Sequence, residues 1–78
     1  MSRYSMLIQW SEEDQAFIVT LPEFDCAKTH GETYAKAVNQ GKSLIESFFM
    51  WYEQDGKALP EPALYPSIPS FHELIAAN

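Results

Sequence analysis

The chain has 78 residues, of which 46% are hydrophobic and 14% aromatic. That composition supplies the apolar surface for one small folded domain and argues against disorder. Eleven acidic residues against five basic ones give a formal net charge of -6, and the cations form no cluster. Direct binding to nucleic acid is therefore not expected, whereas a basic protein partner would be attracted.

The cellular setting is predicted from two features. Cys26 is the only cysteine, so the chain forms no internal disulfide, and a reducing cytoplasm fits best. The first ten residues lack the pattern of a signal peptide, and no apolar run approaches the roughly 18 residues of a membrane span. We expect a cytoplasmic protein that does not contact the membrane.

Two strands joined as a hairpin are predicted near the N-terminus. Residues 4–10 (YSMLIQW) alternate between two faces, and residues 15–21 (QAFIVTL) are rich in β-branched and aromatic side chains. The polar residues 11–14 (SEED) form a link of hairpin length. The first run is predicted to be a half-buried strand with Tyr4, Met6, Ile8 and Trp10 on its apolar face. In the second run Phe17, Val19 and Leu21 lie on one side and Ala16, Ile18 and Thr20 on the other.

One long helix is predicted after a short third strand. Pro22 ends the second strand because it has no amide hydrogen, and residues 26–30 are a candidate third strand. Thr33 can cap a helix that ends at Asp55 and Gly56, where glycine suits a left-handed backbone. The apolar stripe expected to lie on the sheet consists of Tyr34, Ala37, Val38, Gly41, Leu44, Ile45, Phe48 and Tyr52.

The chain divides into a domain of residues 1–62 and a tail of residues 63–78. Four of the five prolines follow the helix, which predicts an extended start to this segment. Ser70 and Glu73 have the spacing of a capping box, so a short helix over residues 70–77 is predicted.

Three consecutive acids, Glu12, Glu13 and Asp14, lie at the predicted hairpin tip. Catalytic or metal-binding carboxylates converge in a pocket, whereas neighbouring side chains in a turn point apart into water. We interpret the triplet as a solvated loop, with contact to a partner as the alternative. The two strands carry no acid, which argues against a metal-dependent nuclease.

The other reactive side chains predict no catalytic, metal or cofactor site. His30 and His72 lie in different segments without ligand spacing, and His30 is interpreted as tying down the turn before the helix rather than as a catalyst. Cys26 has no evident base nearby, so we expect a small buried residue rather than a nucleophile. The three glycines are isolated and form no phosphate loop.

The last two turns of the predicted helix are apolar on nearly every side. In residues 47–54 (SFFMWYEQ), Phe49 and Trp51 flank the stripe and Met50 points away from it. If exposed, these residues would form an interaction patch. Either the tail folds back over them, or a second copy or another protein covers them with Phe49 and Trp51 as anchors.

The ordered motifs of the chain resemble the HicB antitoxin family of bacterial toxin-antitoxin systems. The resemblance is carried by WSEEDQAFIVTLPEF (10–24), HGETY (30–34) with Ala37, DG (55–56) and PEP (60–62). It implies an α+β fold, a reduced RNase H-like unit with a three-stranded antiparallel sheet, one long helix, usually a fourth short strand, and no catalytic carboxylates. It also implies a partner, a small basic mRNA-cleaving toxin of the HicA type.

The chain departs from the family pattern at three places. By its spacing from HGET, Cys26 stands where the family usually has glycine, and Lys36 stands where a glutamate would close a capping box at the helix start. Many relatives append a helix-turn-helix or ribbon-helix-helix DNA-binding segment; we expect too few residues after Pro62 for the former, and the tail lacks the basic residues that either needs. We therefore do not expect direct DNA binding.

These observations together favour a binding protein over an enzyme. The leading hypothesis is an antitoxin module that covers a HicA-type toxin, with Glu12, Glu13, Asp14, Phe49, Met50 and Trp51 as contacts to the partner or within a homo-oligomer, a dimer or tetramer. The alternative is a stand-alone oligomerising or regulatory domain of the same fold without a toxin.

Overall fold

The computed structural model describes residues 3–65, which form the predicted α+β fold. Strands β1 (Leu7–Ser11), β2 (Ala16–Leu21) and β3 (Ala27–Gly31) make an antiparallel sheet in the order β1-β2-β3. The single helix of this part, α1 (Tyr34–Asp55), packs across one face of the sheet. Residues 3–65 contain no fourth strand, and the helix predicted over residues 70–77 lies outside the described residues.

The first hairpin pairs Trp10 with Phe17 and Ser11 with Ala16, leaving residues 12–15 as its loop. Gln15 closes the loop with a left-handed backbone (φ 50°). This matches hairpin loops in which a turn is followed by one left-handed residue. The regular strand begins at Leu7 rather than at residue 4.

The connection from β2 to β3 is a tight turn at the surface. A single turn of 3-10 helix (Pro22–Phe24) follows β2, and Asp25 and Cys26 then both adopt a left-handed backbone with φ of 56°. Cys26 is exposed, so the prediction of a buried cysteine is wrong. The physical reason is that the chain reverses at this point, directly before β3, on the outside of the domain.

The core lies between the sheet and α1, as the two apolar patterns predict. Its fully buried members come from β2, the 3-10 turn and the helix: Val19, Leu21, Phe24, Ala37 and Ile45. Half-buried side chains complete it, among them Tyr4, Met6 and Ile8 from the predicted core face of the N-terminal strand. Trp10 and Tyr34 were also expected to face the core, but both are exposed.

Gly41 sets the distance between helix and sheet. A Cβ atom at this position would lie 3.1 Å from Val19 Cγ1 and would overlap the sulfur of Met6. The helix therefore approaches the sheet more closely here than a residue with a side chain would allow, which explains the glycine within the apolar stripe.

Both predicted helix ends are confirmed. The Thr33 side-chain oxygen accepts a hydrogen bond from the Lys36 amide at 3.1 Å. At the other end Gly56 is left-handed (φ 65°), and the Gly56 and Lys57 amides donate to the carbonyls of Glu53 and Tyr52. This pair of bonds is a Schellman motif. Within residues 3–65, no helix is both long and apolar enough to cross a membrane.

Candidate binding surfaces at the two ends of the domain

The predicted contact residues lie at opposite ends of the domain. The hairpin tip lies beside the start of α1, because Phe17, the partner of Trp10 in the sheet, also stacks on Tyr34. Met50 and Trp51 belong to the last turns of the same helix. At a rise of 1.5 Å per residue, Tyr34 and Trp51 are separated by about 25 Å along the helix axis. The structure does not bring the two predicted sets together.

At the hairpin end three aromatic rings form a continuous series, which we call the aromatic ladder: Trp10, Phe17 and Tyr34. The Phe17 and Tyr34 rings are stacked, with centroids 4.7 Å apart and an interplanar angle of 18°, and Trp10 meets Phe17 edge-on at 5.0 Å. Trp10 is 45% exposed and Tyr34 is 61% exposed. The ladder therefore offers two large ring surfaces to solvent.

The position of the ladder follows from the sheet register. Phe17 pairs with Trp10 on one side and with Gly31 on the other. Gly31 has no side chain, and the backbone of Ala37 lies directly over it. The first helical turn can therefore come down onto the end of the sheet, which carries Tyr34 over the Phe17 ring.

The acidic turn, Glu12, Glu13 and Asp14, lies immediately beside the ladder and is exposed. Its conformation is fixed by local hydrogen bonds: the Ser11 hydroxyl donates to the Asp14 carboxylate at 3.1 Å, and the Gln15 amide group donates to the Glu12 carbonyl at 2.7 Å. All three residues of the turn are exposed to solvent, and they are not arranged to hold a metal ion.

The electrostatic field at the hairpin end is negative. Glu12, Glu13 and Asp14 contribute three exposed carboxylates here, and the exposed Lys36, in the first turn of α1, contributes one opposing charge. Glu32 adds a further exposed carboxylate next to the start of α1. The positive end of the helix dipole lies here too, but it is equivalent to only about half a charge and does not reverse the sign.

The helix end carries the second exposed apolar patch, made by Met50 and Trp51, which are 60% and 49% exposed. Trp51 rests edge-on against Phe48 at 5.2 Å, and Phe48 is stacked on the buried Phe24. Phe49, the other predicted anchor, is half-buried with its ring 5.8 Å from that of Tyr4. Of the three helix-end residues, Met50 and Trp51 are therefore the accessible ones.

The described part of the tail runs against the N-terminal segment. The Tyr4 hydroxyl donates to the Pro60 carbonyl at 2.7 Å. Leu59, Leu64 and Tyr65 are exposed, and residues 57–65 leave Met50 and Trp51 uncovered. The other tail residues predicted to fold back, from Ile68 onward, lie outside the described residues.

Glu23 joins three segments of the chain. Its carboxylate accepts hydrogen bonds from the Ser5 amide at 3.1 Å, the Ser5 hydroxyl at 2.9 Å and the Ala63 amide at 2.8 Å. Partial burial acts to raise the pKa of this carboxyl, but hydrogen bonds from the Ala63 amide, its own amide and Ser5 hold the pKa below its ordinary value. We call this arrangement the Glu23 clasp.

A shallow polar groove of about 330 Å³ lies between β3 and the first half of α1, lined by residues that include His30, Lys36 and Gln40. His30 is exposed and forms no side-chain hydrogen bond to any residue that the structure describes, so it does not tie down the turn as expected. That turn is held by the Thr33 cap.

No cluster of three or more His, Cys, Asp or Glu side chains within residues 3–65 is arranged to hold a metal ion. Comparisons with protein-family models, curated proteins and solved structures find no match for the chain. The candidate site is therefore defined by its own surface chemistry.

The aromatic ladder is the feature that sequence reasoning missed. Alternation placed Trp10 on the apolar face of the first strand and left the buried side of the second strand open, and helical spacing assigned Tyr34 to the stripe that lies on the sheet. A signal was present nonetheless: each of the three residues stands at an end of its apolar pattern, where fewer neighbouring side chains can cover it.

Proposed function

We propose that this chain is an antitoxin-like module that binds a small basic mRNA-cleaving protein of the HicA type and covers its active surface. The observation that carries the proposal is the negative, aromatic hairpin end, where exposed rings and ordered carboxylates lie together. The resemblance of residues 10–24 and 30–34 to the HicB family supplies the class of partner. The net charge of -6 favours fast capture of such a partner.

Binding suits these surfaces better than catalysis. General acid-base chemistry needs proton-transferring groups that converge on one reacting atom. The acids of the turn are exposed and belong to no metal-holding cluster within residues 3–65, and strands β1 and β2 carry no ionisable side chain. Large rigid rings bordered by charge are typical of binding anchors.

Co-purification tests the proposal directly. The chain is expressed together with a short, basic, histidine-containing protein encoded beside it, and a tag on one partner should retain both at high salt. The complex should suppress cleavage of mRNA by the basic protein. Absence of a complex at micromolar concentrations, with both proteins folded, would overturn the proposal.

A second candidate function, self-association as a stand-alone regulatory domain, is favoured by the exposed Met50–Trp51 patch. A Met50→Ala, Trp51→Ala double variant should then lower the mass measured by light scattering. Phe49→Ala is a poor test because that ring packs on Tyr4, so its loss would destabilise the fold. An unchanged mass for the double variant would exclude an oligomer built through this patch.

A further inference from the structure

We infer that the aromatic ladder and the acidic turn together form a docking face for an arginine-rich segment of a protein partner. This inference rests on the proposed function and deepens it, because it places the contact at the hairpin end and names arginine as the side chain that the face binds. The helix-end patch then lies outside the contact.

The ring geometry suits a guanidinium group. Tyr34 is stacked face to face on Phe17, so its opposite face is directed to solvent, and Trp10 is exposed on the other side of Phe17. A planar guanidinium stacks on such a face and is more weakly hydrated than the ammonium of lysine. Two exposed rings that share one support therefore offer adjacent positions for cations.

The charges are placed to hold those cations once they stack. The acidic turn begins two residues after Trp10, and Glu32 lies two residues before Tyr34. Carboxylates on both sides of the ladder can accept hydrogen bonds from guanidinium N–H groups while the planar carbon rests on a ring. Lys36, two residues after Tyr34, is a cation of the chain itself near the ladder, but the carboxylates of the acidic turn and Glu32 outnumber it and leave this face with a net negative charge.

Other occupants fit this face less well. A phosphate backbone would be repelled by the four carboxylates. A second copy related by a two-fold axis would bring two acidic turns of the same sign toward each other. At the helix end, by contrast, Lys57 already lies over the Tyr52 ring with its Nζ 4.9 Å from the centroid, so that ring has a cation from the chain itself.

The two tryptophans allow the face to be located in the intact chain. A Trp51→Phe variant reports only Trp10, and a Trp10→Phe variant reports only Trp51. Each is titrated with a deca-arginine peptide at about 10 mM salt, where the Debye length is about 30 Å. Trp10 fluorescence should change saturably and Trp51 fluorescence should not. A response confined to Trp51, or no saturable response, would overturn the inference.

Matched variants separate the local face from the overall charge. The first triple variant removes three charges at the hairpin end (Glu12→Gln, Glu13→Gln, Asp14→Asn). The matched control removes three charges from the helix (Glu46→Gln, Glu53→Gln, Asp55→Asn). The first set should weaken peptide binding severalfold and flatten its salt dependence, whereas the second should change it less than twofold. Equal weakening would show attraction to the whole protein and overturn the inference.

Ring chemistry is tested in the same titration. Tyr34→Leu keeps an apolar side chain but removes the ring, and should weaken deca-arginine binding about two- to fivefold. Deca-lysine should bind more weakly than deca-arginine. Equal affinity of the two peptides would contradict a face that selects arginine. So would a shift in Trp10 fluorescence that depends on the concentration of the protein but not on that of the peptide. Unfolding curves confirm that each variant is folded.

The co-expressed basic protein separates this inference from the proposed function. If the complex forms but survives a Trp10→Leu, Tyr34→Leu double variant at unchanged affinity, the docking face is wrong and the proposed function stands. If the complex does not form while deca-arginine still binds at Trp10, the face stands and the class of partner is wrong.

Discussion

The two ends of the domain expose similar aromatic side chains, but the rings are supported differently. At the hairpin end, Trp10 and Tyr34 rest on Phe17, which is itself half-buried and lies at the end of the sheet. At the helix end, Trp51 rests on Phe48, which stacks on the fully buried Phe24. The helix-end rings therefore pack, through Phe48, on a fully buried core residue, whereas the ladder rings pack on a half-buried one.

We infer from this difference that the helix-end rings contribute to the stability of the fold, whereas the ladder rings contribute less to stability and are available for binding. Substitutions at the helix end should alter stability first and binding second. Substitutions in the ladder should alter binding while the domain stays folded. The following predictions test that division, from the largest expected effect to the smallest.

Phe24→Ala should destabilise the domain by about 3 to 5 kcal/mol, because it empties a buried site between Tyr4 and Phe48. Phe17→Ala makes the same chemical change at the ladder, where the ring is half-buried, and should cost about 1 to 2 kcal/mol. Urea unfolding followed by circular dichroism measures both. Equal losses would show that the ladder is as much a part of the core as the helix end.

Glu23→Gln should destabilise the domain by about 1 kcal/mol after allowance for solvent screening, because the clasp loses its charge-assisted hydrogen bonds. The folded-state pKa of Glu23 is lowered from 4.5, so the clasp stabilises the fold above that pH and loses its contribution as the pH falls through the folded pKa. Wild-type stability should therefore fall more steeply below about pH 4.5 than that of Glu23→Gln, in thermal unfolding measured across pH. Parallel profiles would contradict this.

Cys26→Gly should stabilise the domain by about 1 kcal/mol, because the left-handed backbone at this exposed position is unfavourable for every residue with a Cβ atom. Gln15→Gly, at the equally left-handed position of the hairpin, is the matched variant at the other end. It should gain less, since it also removes the hydrogen bond from Gln15 to the Glu12 carbonyl. A lower melting temperature for Cys26→Gly would refute the strain argument.

Lys36→Glu should stabilise the domain by about 0.5 to 1 kcal/mol. The Thr33 side chain already accepts from the residue 36 amide, and a glutamate could complete the capping box and suit the helix dipole. Lys36→Gln separates the two contributions, because it supplies the reciprocal hydrogen bond without the charge. Thermal melts at low and high salt should show a larger salt-dependent gain for the glutamate than for the glutamine, which removes the cation but adds no negative charge. A glutamate variant less stable than wild type would contradict the prediction.

Much of the fold was predictable because its signals are local. The capping threonine, the Asp55–Gly56 stop and the apolar stripe define α1, and the SEED link between two β-rich runs defines the hairpin. Each signal depends on residues close together in sequence. The third strand was also predicted, but mainly from the family resemblance, because its alternation of polar and apolar residues is weak.

The remaining features depend on contacts between distant residues. The Glu23 clasp joins residues 18 and 40 positions apart, and the ladder exists only because the sheet register places Phe17 beside both Trp10 and Gly31. Phe49 is half-buried because Tyr4, outside any regular strand, turns toward the helix. Periodicity in the sequence predicts which face of a helix or strand a residue occupies. It does not predict where the neighbouring helix or strand ends and leaves that residue exposed.

The contact of residues 60–63 with the N-terminal segment and Glu23 has a practical consequence for attaching the protein to other molecules. Pro60 meets Tyr4 and Ala63 meets the Ser5–Glu23 pair, so residue 65 starts out beside the N-terminal segment. A surface linker attached at the exposed residue 64 would lie near the opposite end of the domain from Trp10 and Tyr34. Immobilised in this way on a sensor chip, the protein would present its ring face to an analyte in free solution.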